Sequence, residues 1–503
     1  MFTAYRRRPP MMAQTGSFPP ACRPFPDGRA RRVKATGTLP AMATPRRGLD
    51  PRAVIEGRPP GRPRPGLVIG IAAGLGCALI VLGIDLLQSI ASAGHSAAPF
   101  VIAVLLALLP VPLLVAVVLL LDRLEPEPRG NLVLCFAWGA GVAALLAAVI
   151  NTAGLLFITQ PELGKSNGEF ISATFGAPLV EEPLKGAVLF WLLWRRRQEF
   201  DGPTDGIMYA AMVGVGFAMM ENIGYYISAL VQPVVGGAQL LGYTFVFRGL
   251  LSPFAHPAFT SMTGIGVAYA ATHRRAGWAA VTGLLGAMTL HGLWNGLSSY
   301  GGTGIGAAYL LIMGVLIALV AVVIADRRRT VRLIWRFLPA YEGTHVVTDA
   351  DLRMLSTLRG RRRARLWARR TGGGAAARAM TNFQLAATEL ALMHQRAERG
   401  LIDPAQFEAR RRDLLRLMAT ARTAVTGRGA GGPQQGPWSS RPGPRGSQPE
   451  PWSSRPGPGG SQPRPGGPRP GPGDSQPGRG SSQPGQGSSQ PGYSGSGYRR
   501  PPA

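Results

Sequence analysis

Cysteine is scarce in this 503-residue chain. Cys22, Cys77 and Cys135 form no spaced pair, and the last two fall inside apolar runs. That pattern argues against both a disulfide framework and a CxxC metal site. Acidic residues are also few: 26 Asp and Glu stand against 54 Lys and Arg, a net charge of +28. In a soluble protein this balance would point to nucleic acid. Here the arginines collect in 1–66 and 327–503, while 67–325 is a series of long apolar runs. Basic flanks of this kind orient a membrane protein and sit against anionic headgroups, so the expected partner is the lipid bilayer and not nucleic acid. The first apolar run starts only at Leu67, after a Pro/Arg-rich stretch of 66 residues. It is expected to stay as a membrane anchor.

What the chain has in quantity is apolar length. Eight stretches of about 20 apolar residues, the length that crosses a bilayer, run roughly over 67–90, 98–121, 131–158, 170–194, 205–230, 249–271, 278–298 and 304–325. Basic residues mark alternate connections: Arg195 to Arg197, Arg274 with Arg275, and Arg327 to Arg329. The loops 91–97 and 299–303 carry none. Positive-inside bias then places both termini in the cytoplasm, a parity that eight spans satisfy. The expected fold is all-α, a polytopic membrane helix bundle of about eight transmembrane helices.

The flanks divide the rest. Residues 1–66 lack periodicity and are expected to be disordered. Residues 326–426 form a basic juxtamembrane segment and a helical hairpin. Within them, 331–370 is expected to lie along the membrane surface. The hairpin covers 376–424, turns at Gly400, and starts its second helix at Asp403 as N-cap with Pro404 behind it. From Gly427 the chain is rich in Gly, Pro, Ser and Gln, with WSSRPG at 438–443 repeated at 452–457. This reads as a flexible, disordered tail.

Ionisable side chains within membrane spans are costly and usually mark function. The fourth span holds Glu181, Glu182 and Lys185, the fifth Glu221, the sixth His256 and the seventh His291. Counted from the predicted outer ends, Glu181 is 11 residues in, Glu221 is 9, and both histidines are 7. At about 1.5 Å per residue all four lie roughly 10–17 Å deep. The helices alternate in direction, so one shared depth points to a single polar cluster. Glu181 with Lys185, Glu221 with Tyr225, His256 with Thr260 and His291 with Asn295 are i,i+4 pairs, each on one helix face. Taken singly, each has a plainer account: an ion pair for Glu–Lys, an interhelical hydrogen bond for a histidine, packing for Asn295, Tyr225 or Thr260. Asp85 stands alone in the first span and receives no role. Arg248, at the outer mouth of the sixth span, reads as a snorkelling side chain.

Two carboxylates and two histidines in a wet pocket can activate water. Glu181 or Glu182, beside a like charge, is suited to accept a proton as general base. Glu221, His256 and His291 could hold a metal, since two imidazoles and a carboxylate leave a fourth position open for water. Without metal, Glu181 and His256 would activate the water while His291 and Asn295 stabilise the oxyanion. There is no HExxH and no GxS at mid-depth in a span, and Asp201 and Asp205 lie at the entrance of the fifth span. A zincin helix, a serine nucleophile and an aspartate pair are therefore all disfavoured. A proton-coupled transporter or channel with a Glu/His relay is the alternative from another class, although no internal repeat is evident.

EEPLK at 181–185, FAMMEN at 217–222, HPAFT at 256–260 and HGLWN at 291–295, in this order, closely resemble the PrsW family of intramembrane metalloproteases. That family is similar in turn to CAAX prenyl endopeptidases and abortive-infection-type membrane proteases. The resemblance covers about 67–325. It implies Glu181, Glu182, His256 and His291 as catalytic positions, with Glu221 and Asn295 in support, and Zn2+ as a cofactor. It further implies a membrane-anchored protein substrate, for instance an anti-sigma factor. The abundance of Ala, Arg and Gly points to a bacterium of high genomic GC, so the expected location is a bacterial plasma membrane.

Overall fold

The computed structural model describes residues 51–55, 65–121, 127–232, 236–344 and 346–426. Most of 1–66 and all of 427–503, both expected to be disordered, lie outside them. Every regular element among the described residues is helical. Five stretches are long and apolar enough to cross a membrane. We label the first three α1 (Pro65–Ser92), α2 (Ala98–Leu121, interrupted at Leu109–Pro110) and α3 (Arg129–Leu163). The elements that follow are α4 (Ala177–Arg195), α5 (Pro203–Val231), α6 (Ala255–Thr272), α7 (Gly277–Ser298) and α8 (Gly301–Phe337).

α5 and α8 complete the five apolar stretches. α4, α6 and α7 do not reach that hydropathy, and they carry Glu181, Glu182, Lys185, His256 and His291. The polar groups that mark a site also erase the signal of a span. α6 begins six residues later than the expected 249, because the helical segment 237–251 stops before Pro253. Pro183 lies inside α4 without ending it.

α5 is the centre of the bundle, 89% buried over its most apolar window, whereas α1 is 6% buried. Apolar burial cannot drive helices together within lipid, so close backbone approach through small residues does it. Gly206 of α5 and Gly264 of α6 face each other, and a Cβ on either would overlap the other's carbonyl. Gly214 likewise lies against the backbone of His256 and Pro257. These contacts bring His256 to the core.

Beyond the bundle lie α9 (Asp349–Leu355), α10 (Leu358–Glu398, kinked at Gly372 and Gly373) and α11 (Pro404–Thr426). The hairpin is as expected: Gly400 turns at φ +64°, and Asp403 caps α11 by accepting from the backbone N–H of Ala405 and Gln406. The stretch 331–370, expected along the membrane surface, shares a core with the hairpin. α8 runs unbroken past Arg327 to Arg329, so Leu333, Ile334 and Leu338 pack with Leu352, Leu355, Ala364 and Ala368 and with the hairpin's Phe383, Leu390 and Leu414. Its arginines face outward around that core or pair within it, as Arg361 does with Thr388. Charge count alone concealed an apolar stripe at helical spacing.

Candidate active site

α4 supplies a double carboxylate and its counter-ion one turn on. Lys185 Nζ lies 3.0 Å from Glu181 Oε2 and 2.9 Å from Glu182 Oε1, and all three side chains are buried. Its ammonium also meets His256 Nδ1 at 3.1 Å and the Phe217 ring at 3.7 Å. Glu182 is fully enclosed: it accepts from Thr260 Oγ1 at 3.1 Å and pairs with His291 Nδ1 at 3.0 Å. Glu181 accepts from Asn151 Nδ2 of α3 at 3.1 Å and lies 3.9 Å from His291 Nε2.

The histidines come from α6 and α7 with their rings 5.2 Å apart and nearly perpendicular. An ammonium can only donate, so His256 Nδ1 accepts from Lys185 and Nε2 carries the hydrogen. That hydrogen points to Glu221 Oε2 at 2.8 Å. A carboxylate accepts, so His291 donates Nδ1–H to Glu182, which in the neutral tautomer leaves the lone pair on Nε2. Phe259 stacks on His291 at 5.0 Å and fixes the ring plane. Each imidazole therefore gives one N–H to a carboxylate and keeps the other nitrogen as an acceptor, the arrangement that orients metal-binding histidines.

Glu181, Glu182, Lys185, Glu221, His256 and His291 thus fall in one cluster. Two details differ from expectation. The three donors that converge are Glu181, His256 and His291, one ligand atom from each lying within 4.8 Å of the others. Glu221 stands behind His256, held by Arg248 Nη2 at 2.5 Å. Asn295 is turned away: its Nδ2 donates to the Ala173 carbonyl at 2.8 Å, a tie between α7 and the segment before α4.

Arg248 does not snorkel. It sits in a π-helical stretch, donates from Nε to Asn222 Oδ1 at 2.8 Å, and lies over the Tyr225 ring at 3.7 Å. Asn151, Asn222 and Arg248 are the polar members that sequence reasoning missed or misread. Asn151 and Asn222 have the signal of a polar amide inside an apolar run, which was present but weak.

Two imidazoles and a carboxylate suit a tetrahedral zinc ion with one position open, and the donor set here fits that chemistry. The cation among these donors in this structure is the Lys185 ammonium.

Residues 127–325 match the family described as PrsW family intramembrane metalloprotease. Two curated relatives, both named Protease PrsW, align with the chain. That of Geobacillus kaustophilus is 29% identical over 143 residues, covering 28% of this chain and 55% of the relative. That of Oceanobacillus iheyensis is 32% identical over 136 residues, covering 26% and 58%. The chain thus spans a little over half the length of the curated relatives it matches. No solved structure matches it significantly. Residues 127–325, which carry all four motifs in order, are thus similar to the PrsW family of intramembrane metalloproteases.

Proposed function

We propose that this chain is an intramembrane protease that hydrolyses a peptide bond of a membrane-anchored protein, with eight spans in a bacterial plasma membrane and both termini in the cytoplasm. α4, α6 and α7 supply the three spans beyond the five apolar stretches, and the basic connections at 195–197, 274–275 and 327–329 support the orientation. The observation that carries the reading is the histidine geometry: His256 and His291 each donate one N–H to a carboxylate and lie with Glu181 in one buried cluster.

The two glutamates divide the work. Glu182 is saturated by Lys185, Thr260 and His291 and serves to orient His291. Glu181 lines a cavity open to the outside of the bundle. In the absence of a metal it is the carboxylate placed to take a proton from the attacking water and deliver it to the leaving amine. Burial of the cluster excludes bulk water and strengthens each of these interactions. Where a zinc ion is bound, Glu181, His256 and His291 would hold it, and it would supply polarisation of the scissile carbonyl and a more acidic water.

Proteolysis in liposomes tests this. Single-span reporters are incubated with wild type, Glu181→Gln and His291→Ala, with and without a zinc chelator. Cleavage by the wild type alone, lost on chelation, is the expected result. If wild type cuts no reporter, or both variants cut as well as it does, the protease reading falls. Proton flux through the same liposomes would then favour a Glu/His relay.

A further inference from the structure

Asp85 has no part in the cluster described above and lies outside the residues that match the family. It sits on α1, the helix most exposed to lipid, yet is itself only 9% exposed. Its Oδ2 has no hydrogen-bond partner among the described residues. A buried carboxylate oxygen without a partner is costly and calls for an explanation.

The residue that carries it stands on the wall of a cavity. Asp85 lines an open groove of about 310 Å³ between α1, α3, α4 and α5, together with Gln88, Asn151, Glu181, Glu221 and Ser228. α1, α3 and α5 are the first, third and fifth spans, which run in the same sense in an alternating bundle. The groove therefore extends from the level of Glu181 toward the ends of α1 and α5 at Ser92 and Val231. From Glu221 to Ser228 it spans about 10 Å at ~1.5 Å per residue. A volume of this size holds an unwound stretch of a few residues.

The charges in the groove are unequal. Asp85, Glu181 and Glu221 all lie on its wall. The nearby cations are committed elsewhere: Lys185 to Glu181 and Glu182, and Arg248 to Glu221 and Asn222. Asp85 is left as an uncompensated acceptor beside the site.

We propose that this groove is the substrate-binding subsite and that Asp85 receives a cationic side chain, lysine or arginine, of an unwound substrate segment next to the scissile bond. The proposal rests on the protease reading for the identity of its ligand. The cation would neutralise the Asp85 carboxylate and, by holding the segment at Asp85, seat the neighbouring carbonyl at Glu181. Asp85 is a specificity-determining residue in this account and takes no part in the bond-breaking step.

Binding and cleavage are measured separately. Fluorescent single-span peptides carry Lys, Met or Glu at each position of a scanned window and are reconstituted in liposomes with the full-length protein. Binding is read in the His291→Ala background, a residue off the groove wall. The Lys peptide at one register is expected to bind at least tenfold tighter than the Met peptide. Asp85→Asn should erase that difference, and Asp85→Lys should turn the preference toward Glu. Equal binding of Lys and Met peptides at every register overturns the proposal without recourse to a variant. So does a Lys preference that survives Asp85→Asn. If Asp85→Asn instead slows cleavage of all reporters alike, Asp85 lines a path for water and the proposal fails. Cleavage of the Met reporter by wild type reports on the protease reading alone. A Lys preference in binding with no cleavage of any reporter would keep the cation subsite and remove the protease.

Discussion

Glu221 accepts the Nε2 hydrogen of His256 at 2.8 Å while Arg248 holds the same carboxylate at 2.5 Å. The bond reaches from α5 to α6 and leaves His256 Nδ1 as the acceptor facing the cluster. Glu221→Gln keeps the volume and removes the charge that fixes this tautomer. Carboxylates in this position are worth about 10–100-fold in metal affinity or activity. Zinc titration of the variant should show a loss in that range with the helical content unchanged. Wild-type affinity would mean that Glu221 does not orient His256.

Lys185 neutralises two buried carboxylates. Removing one partner of a buried ion pair costs about 3–5 kcal/mol, so Lys185→Met should lower the thermal midpoint sharply in metal-free buffer. Zinc should then restore more stability to the variant than it adds to wild type, because a divalent ion can take over the ammonium's role. A midpoint that zinc leaves unchanged in both proteins would count against a metal at Glu181, His256 and His291.

Asn295 ties α7 to the Ala173 carbonyl and does not face the groove. Interhelical hydrogen bonds in membranes are worth about 0.6 kcal/mol on average and at most about 1.7. Asn295→Ala should therefore cost stability of that order, measured by unfolding in mixed micelles, and retain reporter cleavage within a few-fold. A loss of cleavage as deep as that of His291→Ala would restore Asn295 to an oxyanion role.

The hairpin is docked on the loops at one end of the bundle. Arg396 pairs with Asp201 at 2.6 Å, Arg399 donates to the Thr272 carbonyl at 2.9 Å, and Arg336 pairs with Glu398 at 2.9 Å. Arg396 and Asp201 are 11% and 14% exposed, which places the pair at the upper end of the ~0.2–1 kcal/mol known for exposed pairs. Arg396→Glu should speed amide exchange in 388–400 by about fivefold, the factor that ~1 kcal/mol carries. The double change with Asp201→Arg should bring it back. Additive effects of the two changes would show that the pair does not hold the hairpin.

The cluster was legible because charge inside an apolar run is expensive wherever it occurs, and helical spacing gives its members a common register. Glu181, Glu182, Lys185, His256 and His291 needed no more than that. Which donors converge was not legible, since it turns on the rotation of α5 against α6, which Gly206, Gly214 and Gly264 set through backbone contact. Arg248 was misread because its position at the end of a span matches that of a snorkelling side chain. The π-helical stretch that turns it toward Glu221 leaves no mark in composition. The core within 331–370 escaped notice for a similar reason: ten arginines mask the apolar stripe beneath them, and only the path of α8 brings that stripe to the hairpin.

That path has a mechanical meaning. α8 is one rod of 37 residues, about 55 Å at ~1.5 Å per residue, with no proline and no hinge where it leaves the apolar zone. Its far end is built into the core shared with the hairpin, and its near half packs against α7. A rod without a joint transmits torque. Any ligand that rolls the hairpin must turn α8 about its own axis, and with it the surface presented to the helix that bears His291.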